Sequence, residues 1–139
     1  MGYRSDVRCL IYGTKEEMDL LLTTSVIICN SKILEHFKKD LTRYTSRILG
    51  PNGVDEVILH FLDLSGENWK WYDDYEDVKT WVEFMKEAAE MGLEYEFIRV
   101  GERAGDVETI SSAAGTNFLY TTSPHIECDI DISDPIPIL

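Results

Sequence analysis

The stretch from Gly66 to Met85, GENWKWYDDYEDVKTWVEFM, gathers all three tryptophans, two tyrosines and six carboxylates into twenty positions. In an extended segment Trp69 and Trp71 share one face, while Lys70 and Tyr72 share the other. Two adjacent indoles beside Asp73, Asp74, Glu76 and Asp77 could form the desolvated centre of a protein interface or a shelf for a planar ligand. They could equally close the bottom of a hydrophobic core. If a planar ligand carried phosphate, Arg43, Arg47, Arg99 and Arg103 are the cations that could hold it. Catalytic constellations are weak by comparison. Asp73 and Asp74 are adjacent and explained by helix capping, His125 with Cys128 is half a metal site without a second pair, and Gly101 and Gly105 lack the strand-to-helix context of a phosphate loop. We therefore expect no enzyme, no cofactor and no metal.

Charge bounds the partners. Twenty-six acids against thirteen bases give a net charge of −13 over 139 residues, which repels nucleic acid and favours solubility or a basic partner. The sign is uneven along the chain: residues 30–49 carry five Lys or Arg and two acids, whereas residues 104–139 carry six acids and no Lys or Arg. Cys9, Cys29 and Cys128 are odd in number and widely spaced, as suits reduced, buried thiols. No apolar run approaches eighteen residues and the first residues carry Arg4, Asp6 and Arg8, so the expectation is no membrane span, no secretory leader and a cytoplasmic protein.

The elements that position these residues fit one domain over residues 1–139. Val7, Cys9 and Ile11 alternate in a first strand closed by Gly13. Thr14 with Glu17 makes a capping box for a helix whose inward stripe is Met18, Leu21 and Leu22. The segment TTSVIICNS is the end of that helix or a buried connector. From Ser31 to Leu49 the spacing of Ile33, Leu34, Phe37, Leu41, Tyr44 and Ile48 predicts a helix with a basic outer face, stopped by GPNG. DEVILHFLDL reads as a central strand with His60 as a hydrogen-bonded core residue. Asp73 or Asp74 should cap a helix carrying Val78, Trp81, Val82, Met85 and Ala89 and ending at Gly92. LEYEFIRVGE predicts a strand with Tyr95 and Phe97 inside and Glu94 and Glu96 on a wet face. NFLYTT and HIECDIDI add two antiparallel strands, with Ile126, Cys128 and Ile130 inward. The apolar tail at 133–139, broken by Pro135 and Pro137, should fold back on the body or dock into a second copy as a homodimer contact. The fold class is thus α+β in two layers: four or five mostly antiparallel strands with two or three helices on one face, a ferredoxin-like variant included.

MGYRSDV at the start, KWYDDYEDV at 70–78, and EFIRVGE followed by GDVE within 96–108 resemble a group of small proteins encoded by tailed bacteriophages. The resemblance implies a viral protein working in the bacterial host cytoplasm, and it carries no active site. By analogy of context it implies an inhibitor of a host or antiviral-defence protein, such as a CRISPR effector. Three functions follow as expectations. One is inhibition by contact, in which carboxylates steer the chain to a basic groove while Trp69, Trp71 and Tyr72 form the interface centre. Another is a sponge for a small signalling nucleotide. The third is a structural or interaction protein of the phage without inhibitory role.

Overall fold

A computed structural model describes residues 2–25, 37–50, 53–112, 118–122, 125–130 and 132–138. Strand β1, Ser5–Gly13, is followed by helix α1, Lys15–Thr24, and a short 3-10 turn, Lys38–Asp40. Strands β2, Leu41–Leu49, and β3, Glu56–Trp69, precede helix α2, Glu76–Glu90. Strands β4, Glu94–Gly101, β5, Val107–Ser111, β6, Leu119–Thr122, and β7, His125–Cys128, complete the order. The large sheet runs β2-β3-β1-β4-β5 with every neighbouring pair antiparallel. Within it, β3 fills the gap between β1 and β2, and β1 fills the gap between β3 and β4. That is the split β-α-β arrangement of the ferredoxin-like topology, extended by β5.

Local sequence accounts for the helices. Thr14 Oγ1 accepts the Glu17 amide at 3.1 Å and Glu17 Oε1 accepts the Thr14 amide at 2.9 Å, so the expected capping box starts α1. Met18, Leu21 and Leu22 of α1 and Val78, Trp81, Phe84, Met85 and Ala88 of α2 are buried against Val7, Cys9, Ile11, Leu62, Leu64 and Phe97 of the sheet. α2 starts at Tyr75 without a side-chain cap, which corrects the expectation that Asp73 or Asp74 caps it.

The region 41–49 is strand β2, not the second half of a helix. Leu41, Tyr44 and Ile48 fit a helical spacing, but Thr42, Tyr44, Thr45 and Ile48 favour extended backbone and β2 pairs with β3 residue by residue from Leu41↔Leu64 to Leu49↔Glu56. The connector and the first part of that expected helix, residues 26–36 including Cys29, lie outside the described residues.

The opposite face of the sheet is also covered. Leu10, Tyr12, Tyr44, Phe61 and Ile98 pack against Phe118 and Leu119, with Ile126, Cys128 and Ile130 of the β6-β7 hairpin region facing inward as expected. This hairpin layer explains a second correction. Glu96, assigned to a wet face, is 2% exposed: Oε1 accepts the amides of Phe118 and Leu119 at 2.7 and 3.0 Å, and Oε2 accepts the Tyr12 hydroxyl at 2.8 Å. Asp63 plays the matching part on β3, accepting from Arg8 Nη2 and Tyr44 Oη, both at 2.8 Å. A buried carboxylate is tolerated where several donors converge on it.

The tail folds back on the body. The Ile136 amide donates to the Arg43 carbonyl at 2.8 Å, the Ser133 amide to the Thr45 carbonyl at 3.2 Å, and Ile138 packs against the helix-side core. Ser133 and Ile136, not the prolines, supply the amides that bond to β2, so the missing proline amides are harmless and this edge of the sheet is covered.

Candidate functional site

The bend at the end of β3 sets the site. Ser5 faces Trp69 but Val7 faces Gly66, so β3 carries one residue more than β1 between these pairs. The extra residue is absorbed by Asn68, which takes φ +58 in the left-handed region. Its amide donates to Asp6 Oδ1 at 3.0 Å and its carbonyl accepts from Arg4 Nη1 at 3.3 Å, which holds the strained backbone on both sides. The bulge lays the Trp69 indole on Gly66, where a Cβ would overlap the ring.

Trp69 then stacks on Trp71 with centroids 6.1 Å apart and planes at 16°, as the alternation predicted. Phe37 joins them at 5.6 Å from Trp69 and meets Trp81 edge-on at 5.7 Å. The two indoles differ in fate. Trp71 is 9% exposed and belongs to the core, leaning on Phe97, whereas Trp69 is only partly buried. Together with Phe37 they floor a cleft of about 340 Å³ whose rim includes Arg4, Lys39, Asp40, Lys70, Tyr75 and Asp77.

Of the expected partner-binding residues, Trp69, Trp71 and Asp77 line this cleft, while Tyr72 lines a neighbouring one with Tyr3 and Arg103. Tyr72 meets Tyr75 edge-on at 5.0 Å, Asp73, Asp74 and Glu76 are exposed, and Asp77 is partly buried in the first turn of α2. There the helix dipole favours negative charge. Carboxylates are not confined to this end, however. Glu16 on α1, Glu83 and Glu90 on α2, and Glu127, Asp129 and Asp134 near the C-terminus are exposed as well.

The four candidate phosphate-binding arginines do not form one site. Arg43 is 6% exposed, with Nη2 donating to Asp19 Oδ1 at 2.7 Å and lying 3.0 Å from His60 Nδ1, and with Nη1 donating to the Ile138 carbonyl at 3.2 Å. Arg47 sits farther along β2, beside Glu56 at 3.9 Å. Arg99, on β4 with β3 and β1 between it and β2, holds Asp106 at 2.9 Å and Glu108 at 3.3 Å. Arg103 lies over the Tyr3 ring.

These contacts set protonation. Hydrogen bonds from Lys15 and Arg43 hold the Asp19 carboxyl down at about 2, and those from Arg99 and Tyr3 do the same for Asp106. Burial, then the neighbouring Arg43 charge, lowers His60, so its ring is neutral and Nδ1 is the acceptor. Burial pushes the Cys9 thiol up and that of Cys128 up to about 11, so neither is a ready nucleophile. No group of three or more metal-ligating side chains occurs among the described residues, and no described helix is long and apolar enough to cross a membrane.

Sequence reasoning missed Phe37 as the third ring, and Arg4, Lys39 and Lys70 as rim cations. Only Lys70 carried a signal, its place between the indoles; the others arrive from distant segments. The chain matches no protein-family model, no curated protein and no solved structure.

Proposed function

We propose that this chain is a binding protein that acts by contact: a phage accessory protein that inhibits a host or antiviral-defence protein, such as a CRISPR effector, in the bacterial cytoplasm. The observation that carries the contact reading is Trp69. An indole left partly exposed at the mouth of a three-ring stack, seated by a left-handed Asn68 on a bare Gly66, is a rigid anchor of the kind interfaces use. Asp77 lines the same cleft, and Asp73, Asp74 and Glu76 are exposed in the chain from Trp71 to the start of α2, where they supply charge that draws in a basic patch. Viral origin and inhibition rest on the resemblance of the short motifs; a phage structural role without inhibition is the alternative that an activity assay on the captured partner separates.

The test is capture from a bacterial lysate on immobilised protein, comparing wild type with Trp69→Ala and with an Asp73→Asn, Asp74→Asn, Glu76→Gln variant. Removing the anchor should weaken binding by ~2 kcal/mol, roughly thirty-fold. Equal recovery of the same partners by a folded Trp69→Ala variant would place the interface elsewhere.

A further inference from the structure

We infer that the cleft floored by Phe37, Trp69 and Trp71 is a binding site for a nucleoside monophosphate. The inference shares Trp69 with the protein-partner reading but is carried by the rim cations, which that reading does not use.

The pairing of charges is the first observation. Bases are outnumbered two to one in this chain, and Arg8, Lys15, Arg43, Arg47 and Arg99 each stand within 4.0 Å of a carboxylate. Arg4, Lys39 and Lys70 line the cleft, and none of them is among the cations that form ion pairs between described residues. Lys79, Lys86 and Arg103, the other described cations without ion pairs, do not line this cleft. Three cations left without carboxylates around one concavity of a strongly acidic protein make a place for an anion.

The floor defines the rest of the ligand. Two indoles 16° from parallel and a phenyl ring at 28° to Trp69 offer a flat apolar surface, which suits a base that stacks regardless of its identity. The left-handed Asn68 is a local cost borne by a non-glycine residue at the point that seats Trp69, and Arg4 ties that residue's carbonyl to the same rim. The volume, about 340 Å³, lies at the small end of ligand sites and matches one base, one sugar and one phosphate. Asp40 can accept from a ribose hydroxyl, and Asp77 lines the same cleft. The same carboxylates, with the net charge of −13, oppose a second or third phosphate. Free nucleotide is favoured over nucleic acid for that reason.

The experiment is a tryptophan-fluorescence titration of the full chain with AMP, GMP, CMP and UMP, against the matching nucleosides, inorganic phosphate and a 5′-phosphorylated single-stranded oligonucleotide. At least one monophosphate should saturate and bind at least about tenfold tighter than its nucleoside or phosphate alone. A Lys39→Gln, Lys70→Gln variant, changed only on the surface and checked by its melting curve, should bind about tenfold more weakly. The inference is overturned by the absence of saturation with every monophosphate at millimolar concentration. It is equally overturned by undiminished binding in the folded double variant, or by an oligonucleotide or phosphate that binds as tightly as the monophosphate.

Discussion

Replacing Gly66 with alanine tests how Trp69 is held. The new Cβ would overlap the indole, and the nearest atoms all belong to that ring, so the side chain must leave Gly66 and with it Phe37 and Trp71. An indole contact surface of ~150 Å² at ~25 cal/mol per Å² contributes up to about 4 kcal/mol. The entropy gained by replacing glycine offsets about 0.5 kcal/mol of that loss. Gly66→Ala should therefore cost about 3 kcal/mol, and Trp69→Ala a similar amount. In the double variant the clash has nothing to clash with. Its stability should match that of Trp69→Ala or exceed it by the ~0.5 kcal/mol of the glycine replacement, a coupling of at least about 3 kcal/mol in a double-mutant cycle. Urea unfolding followed by circular dichroism gives the stabilities, and the emission maximum of the native Gly66→Ala protein reports the indole moving toward water. Costs that simply add, or a Gly66→Ala protein with wild-type emission and a loss below about 1 kcal/mol, would refute the packing argument.

Three further outcomes follow from the same contacts. Glu96→Ala strands the Phe118 and Leu119 amides and the Tyr12 hydroxyl; it should cost about 3 kcal/mol in denaturant unfolding and speed hydrogen exchange at Phe118 and Leu119 first. Deleting residues 133–139 uncovers the β2 edge and removes the Ile136 and Ile138 contacts to Arg43, so light scattering should reveal concentration-dependent association that the full chain lacks. Acidification should destabilise the fold in two stages. His60 is lowered in the folded state, so the unfolded chain takes up its proton first and stability falls as pH drops below the ordinary value of 6.5. Asp19 and Asp106, held at about 2, extend the loss from the ordinary carboxylate range down to that value, and His60→Gln should flatten the upper stage alone in pH-dependent melts.

Short-range signals in the sequence match the structure where side-chain type and spacing agree. The capping box of Thr14 and Glu17, the stripe of Met18, Leu21 and Leu22, the core role of Trp81 and His60, and the inward Ile126, Cys128 and Ile130 are all of this kind. Errors arose where burial and polarity part company. Arg43 looked like a solvated helical cation but lies beneath the tail between Asp19 and His60, and Glu96 looked wet because its three donors come from residues 12, 118 and 119. With Arg43 buried, the two-residue alternation of β2 disappeared and a three-and-four spacing took its place. The stacking of Trp69 on Trp71 was visible from alternation, whereas their unequal exposure depends on a bulge one residue long and on Phe37 arriving from another segment. Arg4 and Lys39, brought to the rim by topology, leave no local trace.

Engagement of a basic partner by the acidic and aromatic end is tested by the association rate of the captured partner with wild-type protein between 50 and 300 mM salt. That rate should fall about tenfold or more as the field of Asp73, Asp74, Glu76 and Asp77 is screened, with dissociation nearly constant. An association rate indifferent to salt would contradict it.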